Sequence, residues 1–188
     1  MTEPNDHNLT KKQLRKQMKR ILTALSNLEK DLESEKIIEM ISYFINASPQ
    51  IKTIASYAAL PLELNLDALH SNLPEISFCY PKCGENGQME FYLVSDLSEM
   101  QPSQYGIREP DETTHKRIDP ESIDLFLCPA YAYNTDGKRL GKGGGYYDRY
   151  LLKKRPNAIT LGVVFPCQKL TNTTIPTDAH DILIDRVL

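Results

Sequence analysis

Residues 124–151 read DLFLCPAYAYNTDGKRLGKGGGYYDRYL, and this stretch decides the fold class. It begins with a strand-length run, residues 124–128, which is apolar on both faces and ends at a proline, as is typical of a buried parallel strand. A glycine-rich loop follows, and residues 146–154 have the pattern of a short helix that begins directly after the last glycine. A buried strand, a glycine loop and a helix in this order indicate an α/β protein.

The chain before this stretch opens with two predicted helices. Apolar residues recur at helical spacing after Thr10, which stands where an N-cap residue is expected. Ser26 followed by Glu29 matches a capping box and predicts the start of a second helix. An apolar stripe that includes Leu28 and Leu32 runs along this second helix and is expected to be buried.

Predicted strands alternate with loops and short helices along the rest of the chain. Pro81 is expected to stop one strand, and residues 95–122 have the low periodicity of a surface loop. No internal repeat or linker interrupts the pattern, so one domain over residues 1–188 is expected, with residues 1–9 as a disordered tail. The predicted segments are strands at 53–58, 76–80, 89–94 and 159–165, and a short helix at 66–73.

The composition excludes several classes of protein. The chain has 188 residues, which is long enough to bury its own core. Its 22 Lys and Arg against 25 Asp and Glu give a formal charge of -3, which argues against general nucleic-acid binding. Four cysteines without a CxxC pair argue against a zinc site or a disulfide framework. The acidic N-terminus and the lack of a long apolar run predict a cytoplasmic protein without a membrane segment.

The glycine loop is the candidate functional site. Five of the nine glycines lie within residues 137–145, among Lys138, Arg139 and Lys142. Glycine lets the backbone approach phosphate oxygens, and a helix N-terminus with nearby cations favours an anion. Spacing alone leaves phosphate binding and a flexible turn equally open, and the loop is not a GxxxxGK[ST] P-loop. Asp148 suits either Mg²⁺ binding or the dipole of the first helical turn.

The whole pattern resembles the 5-formyltetrahydrofolate cyclo-ligase family, also called 5,10-methenyltetrahydrofolate synthetases. Residues 128–151 resemble the family signature, and Lys11 to Arg15 resemble its N-terminal KxxLR. The other similar segments are residues 57–63, Tyr80-Pro81-Lys82, the GIxEP at 106–110 that follows Tyr105, and the closing PxxxHDxxxDxV at 176–187.

This resemblance implies a fold and a reaction. The implied fold is a single three-layer α/β/α domain, Rossmann-like, with a mostly parallel central sheet. The implied reaction is the ATP- and Mg²⁺-dependent closure of 5-formyltetrahydrofolate to 5,10-methenyltetrahydrofolate, with ADP and phosphate released. In the implied mechanism, the formyl oxygen attacks the γ-phosphate to give a phosphorylated imine, and the folate amine then displaces phosphate from the activated carbon. Small molecules are the implied partners, with no nucleic acid and no membrane, and the chain is expected to be a monomer.

The resemblance also implies roles for individual residues. Catalytic roles fall to Arg139, Lys142 and Tyr147, and Mg²⁺ to the carboxylates of Asp148 and Asp181. The implied ATP-binding residues are Lys11, Arg15, Arg139, Leu140, Gly141, Lys142, Gly143, Gly144, Gly145, Tyr146 and Tyr147. The implied folate-binding residues are Ala58, Glu63, Lys142, Gly143, Gly144, Gly145 and Tyr146.

Two alternatives compete with this hypothesis. A non-catalytic nucleotide- or folate-binding protein could retain the glycine loop, and the basic helix at residues 11–20 could bind nucleic acid. Without the resemblance, that helix would be interpreted as a solvated basic stripe. Stacking on the flat pterin is a further possibility for Tyr80, Tyr105, Tyr133 and Tyr146, against the alternative that they belong to the core.

Overall fold

The computed structural model describes residues 9–103, 106–171 and 173–188. Tyr105 and all of the tail predicted at residues 1–9, except Leu9, lie outside the described residues. The helices, in chain order, are α1 (Lys11–Ala24), α2 (Asn27–Asn46), α3 (Ala68–Asn72) and α4 (Tyr146–Leu151). The strands are β1 (Thr53–Ala55), β2 (Ser77–Cys83), β3 (Met89–Leu93), β4 (Gln101–Pro102), β5 (Arg108–Glu109), β6 (Leu125–Pro129), β7 (Ala132–Asn134), β8 (Arg139–Leu140), β9 (Ile159–Val163), β10 (Lys169–Leu170) and β11 (Arg186–Val187).

A mostly parallel sheet forms the centre of the molecule. Its strand order is β11-β9-β6-β1-β2-β3, and every pair is parallel except β2 with β3. Two smaller sheets, β10-β7-β8 and β4-β5, lie beside it. The predicted α/β class with a mostly parallel sheet is confirmed.

Both faces of the central sheet are covered, because successive strand residues point to opposite sides. Ile54 and Leu125 belong to the apolar cluster that contains Ile41 of α2. Their neighbours in the chain, Ala55 and Phe126, belong to a second cluster, which includes Tyr150 and Leu151 of α4. Helices on the two faces give the predicted three layers.

Helix α1 begins where the sequence predicted. The Thr10 side chain accepts the Gln13 N–H at 3.3 Å, and Gln13 reaches back to the Thr10 N–H at 2.9 Å. Leu14 and Met18 pack against the small β7-β8 sheet at Leu140. This packing directs Lys11 and Arg15, one turn apart, towards the cavity that the glycine loop also lines.

Helix α2 has the predicted capping box, but its first turns are not buried. Ser26 accepts the Glu29 N–H at 3.2 Å, and the Glu29 carboxylate accepts the Ser26 N–H at 2.8 Å. Leu28 and Leu32 are 69% and 47% exposed, because the buried face of α2 begins only at Ser34. The prediction of a continuous buried stripe was therefore wrong for these two residues.

Strand β2 passes through Pro81 instead of ending there. Strand β1 accompanies β2 only as far as Cys79. Among the described strands, Pro81 therefore has a partner only in β3, where it pairs with Phe91. A proline is tolerated where one side of a strand has no ladder to complete. Within the described residues, none of the helices is long and apolar enough to cross a membrane.

Candidate active site

A cavity of about 830 Å³ opens near the carboxyl ends of β1 and β6. Ala58 follows β1 and Pro129 ends β6, which is where ligands bind in parallel α/β sheets. The cavity is lined by all the residues assigned above to ATP, folate or Mg²⁺, with the exception of Leu140. Residues distant in the sequence therefore meet around one space.

Leu140 does not reach the cavity. Its side chain is fully buried and packs against Leu14 and Met18 of α1. The Leu140 carbonyl accepts the Tyr131 N–H at 2.8 Å, which holds β8 in place. Leu140 packs beneath the glycine loop, on the side of α1, and it is not among the residues that line the cavity. The structure therefore does not support the expected contact of Leu140 with ATP.

The glycine loop takes conformations that suit glycine. Gly143 has φ +105° and Gly145, the N-cap of α4, has φ +65°, both in the region that L-residues with side chains rarely adopt. Arg15 lies under the loop and donates from Nε to the Gly141 carbonyl at 2.8 Å. Helix α1 thus holds the loop through Arg15. The basic pattern of the helix alone would have predicted that this arginine is solvated.

Three cations of the cavity are each paired with a carboxylate. Arg139 Nη2 lies 2.7 Å from Asp148 Oδ1, and the Arg139 side chain is only 4% exposed. The other two pairs are Lys11 Nζ with Asp181 Oδ2 at 2.6 Å, and Lys142 Nζ with Glu63 Oε1 at 2.5 Å. In each of these three pairs, the two opposite charges neutralise each other.

The pair at α1 shifts the titration of both partners. Partial burial alone would raise the pKa of Asp181, but hydrogen bonds from Lys11 and from the Asp178 N–H outweigh it and lower that pKa. Burial acts against the charged form of Lys11 too, and its bonds to Asp178 and Asp181 raise its pKa overall. Both groups are charged at neutral pH.

Tyr147 carries an unused hydroxyl. Its oxygen is buried, and among the described residues it has no hydrogen-bond partner. Burial holds the pKa of the phenol well above its ordinary value of 10.0, so the group remains a proton donor at neutral pH. The Arg139 guanidinium carbon lies 5.2 Å from the centre of the Tyr147 ring and keeps the ring beside the cavity.

A sequence model described as the 5-formyltetrahydrofolate cyclo-ligase family matches residues 7–188. The chain belongs to this family. A 5-formyltetrahydrofolate cyclo-ligase from Mycoplasma pneumoniae is 32% identical over 181 residues, which cover 94% of this chain and 99% of that protein. The comparison extends over nearly the entire length of both proteins.

Two solved structures of 5,10-methenyltetrahydrofolate synthetases have the same fold. The structure from Mycoplasma pneumoniae has a TM-score of 0.79 at 29% identity and covers 95% of this chain and 98% of that one. The structure from Aquifex aeolicus has a TM-score of 0.81 at 30% identity and covers 95% and 89%. Membership of the cyclo-ligase family supports ligase activity on a folate and implies ATP as co-substrate.

The carboxylates expected to bind metal in this cyclo-ligase family member suit Mg²⁺ in chemistry and number. Asp148 and Asp181 line the same cavity as the loop cations. In the described part of the chain, no group of three or more His, Cys, Asp or Glu is arranged to hold a metal ion alone. Mg²⁺ is ordinarily held by one or two carboxylates together with substrate phosphates and water, which this donor set allows.

Two of the tyrosines suggested for stacking on the pterin belong to the core. Tyr80 and Tyr133 are each 1% exposed and do not line the cavity. The Tyr133 hydroxyl donates to the Cys128 carbonyl at 2.9 Å. Only Tyr146 of the described candidates lines the cavity.

The cavity also contains residues that the sequence did not single out. Asp178 adds a second carboxylate to Lys11 at 2.7 Å. Cys83 also lines the cavity, and burial together with the carboxylate of Glu109 raises the pKa of its thiol to about 11. Arg149 donates to two main-chain carbonyls, that of Gly144 in the glycine loop and that of Gly87. Such bonds leave no sequence signal, because any residue supplies the acceptor.

Proposed function

We propose that the protein catalyses the ATP- and Mg²⁺-dependent cyclisation of 5-formyltetrahydrofolate to 5,10-methenyltetrahydrofolate. The formyl oxygen attacks the γ-phosphorus, and ADP leaves. The secondary amine of the folate then attacks the formyl carbon, and the carbon–oxygen bond breaks as phosphate leaves and the amine loses its proton. The formyl oxygen ends in the released phosphate, and no protein nucleophile is needed.

One observation carries this proposal: the cavity brings three cations and their carboxylate partners around a single space. A triphosphate needs cations, and a divalent metal needs carboxylates. Binding both together exchanges each of these ion pairs for contacts to the ligands, so none of the six charges is left without a partner. Binding a triphosphate alone would leave buried carboxylates facing its negative charge.

The contact between Lys142 and Glu63 supports the proposal that the two substrates meet at this point of the cavity. Lys142 comes from the glycine loop, and Glu63 follows β1, where the Leu60 N–H fixes its second oxygen at 2.8 Å. In the proposal, the Glu63 carboxylate accepts from the donor groups of the pterin, which frees Lys142 to face the transferring phosphate. In the proposal, the Tyr147 hydroxyl donates to an oxygen of the phosphate or formyl group, which gives this buried group a partner.

The protein's contribution is to position the substrates and to neutralise charge. Arg139 holds its guanidinium in a buried setting and offers a bidentate fork to phosphate oxygens. Mg²⁺, when bound through Asp148 and Asp181, supplies positive charge to the phosphate oxygens. Since one chain supplies cations, carboxylates and folate contacts to the same cavity, we also propose that it acts as a monomer.

The test follows the near-ultraviolet absorbance of the methenyl product. Purified protein is mixed with 5-formyltetrahydrofolate, Mg²⁺ and ATP, and parallel samples omit ATP or replace Mg²⁺ with a chelator. We expect product only in the complete mixture. A folded protein that binds ATP but forms no product would instead support the non-catalytic binding protein.

A matched pair of variants tests the role of the loop cation. Lys142 lines the cavity, whereas Lys138 belongs to the same segment but does not. Lys142→Met is expected to lower turnover strongly, and Lys138→Met is expected to leave it unchanged. Equal losses in both variants would contradict the assignment.

A further inference from the structure

Arg149 bridges two segments that both contribute residues to the cavity. Its Nε and Nη2 atoms donate to the Gly87 carbonyl at 3.0 and 2.8 Å, and Nη2 also donates to the Gly144 carbonyl. Gly87 lies in the turn between β2 and β3, and Gly144 lies in the glycine loop. One guanidinium therefore connects the β2–β3 hairpin with the loop.

The surrounding chain leaves a slot that fits this side chain. Gly87 has φ +73°, and a Cβ there would overlap Nη2 of Arg149. A Cβ at Gly145 would lie 2.7 Å from Nη1. Glycine is required at both positions for the guanidinium to lie between the two segments.

Arg149 also supports the ring of Tyr146. Its guanidinium carbon lies 5.8 Å from the centre of that ring, within the range of a cation–π contact. The ring also lies close to Gly144, where a Cβ would be 2.6 Å from it. The ring, the loop backbone and the guanidinium thus form one packed unit that lines the cavity.

The hairpin end of the bridge reaches the cavity as well. Cys83 ends β2 and Met89 begins β3, and both residues line the cavity. Gly87 lies between them in the turn, so the bond from Arg149 fixes the glycine loop relative to this wall. A loop so rich in glycine would otherwise sample many conformations.

We propose that Arg149 is a positioning residue of the cyclo-ligase reaction, which holds the glycine loop against the β2–β3 hairpin. This inference rests on the proposed function. The main-chain groups of the loop and the Tyr146 ring are then fixed before the substrates bind. Pre-organisation of this kind favours the reacting geometry, and small displacements of such a loop lower the rate by large factors.

The experiment compares Arg149→Ala and Arg149→Lys with Lys153→Ala. The control is matched, because Lys153 follows α4 and lies 3.4 Å from Glu90 of β3, but does not line the cavity. Both Arg149 variants are expected to lower kcat/KM for ATP by about 10- to 100-fold, because lysine keeps the charge but has no fork. The control should match the wild type, and the melting temperatures should agree within about 5 °C.

Hydrogen exchange measures the bridge itself in the free protein. Backbone amides of residues 141–147 should exchange about 10-fold faster in Arg149→Ala than in the wild type or the control. Gly87→Ala should produce the same loss of activity, because its Cβ displaces the guanidinium. The double variant should be no worse than Arg149→Ala alone, since both substitutions break the same bridge.

The outcomes separate this inference from the proposed function. If the wild type forms no methenyl product, the proposed function fails, and the role of Arg149 in that reaction fails with it. If the wild type is active, and Arg149→Ala retains both its kcat/KM and its slow exchange, only the inference is overturned. Rescue of activity by lysine would also overturn it, since charge alone would then be sufficient.

Discussion

Glu63→Gln should change the apparent affinities for the two substrates in opposite directions. The variant preserves shape but removes the charge that lies 2.5 Å from Lys142 Nζ. In the free protein Lys142 occupies one oxygen of Glu63, so the folate must displace it. Removing the carboxylate weakens the folate contact and at the same time releases the lysine.

The magnitudes follow from the exposure of the two side chains. Glu63 is 7% exposed, and a hydrogen bond from folate to a buried charged group contributes about 2–3 kcal/mol. Lys142 is 40% exposed, so its ion pair is discounted to about 1 kcal/mol. The difference of about 1–2 kcal/mol corresponds to a rise of about 5- to 30-fold in KM for folate. The freed lysine should lower KM for ATP by up to about 5-fold.

The assay measures methenyl formation while each substrate is varied at saturation with the other. Glu90→Gln is the control, because Glu90 also pairs with a lysine, Lys153, but does not line the cavity. A rise in KM for ATP in Glu63→Gln, or an unchanged KM for folate, would refute the proposal that Glu63 binds the folate and thereby releases Lys142 to ATP.

Three other predictions concern the remaining ion pairs. Asp148→Asn should reduce turnover at limiting Mg²⁺, and it should lower the free energy of unfolding by about 1–3 kcal/mol because it leaves the buried Arg139 without its carboxylate. A Mg²⁺ titration and urea unfolding measure the two effects. An unchanged metal dependence would remove Asp148 from the metal site. Arg139→Lys should raise KM for ATP more than KM for folate, because the bidentate fork is lost. Steady-state kinetics measure both values, and a larger rise in KM for folate than for ATP would contradict this. Asp181 has a lowered pKa in the folded protein, so its contribution to stability is complete above its ordinary value of 3.8 and is lost as the pH falls through the lower folded value. Urea unfolding between pH 3 and 6 should therefore give a gap between wild type and Asp181→Asn that closes in acid, and a gap independent of pH would contradict it.

Local signals allowed most of the fold to be predicted from the sequence. The capping residues Thr10 and Ser26 form the predicted bonds, and the strand before the glycine loop is the buried β6. The failure at Pro81 has a tertiary origin, since it depends on how far β1 extends beside β2. Whether Leu28 is buried depends likewise on which part of α2 reaches the sheet.

The sequence was sufficient to predict which residues form the candidate site, but not how those residues pair with one another. Motif resemblance identified Arg139, Lys142 and Asp148, and all of them line the cavity. The pairing of each cation with a carboxylate joins segments far apart in the chain, such as Lys11 with Asp181, and no spacing rule contains it. Arg149 escaped notice because its partners are main-chain carbonyls, which are the same for every sequence.

The most direct test of the central claim follows one oxygen atom. 5-Formyltetrahydrofolate labelled with ¹⁸O in the formyl group is converted with unlabelled ATP, and the released phosphate is analysed by mass spectrometry. The proposed reaction transfers one labelled oxygen to phosphate for each methenyl product formed. Unlabelled phosphate formed alongside the methenyl product would contradict attack by the formyl oxygen and with it this account of the site.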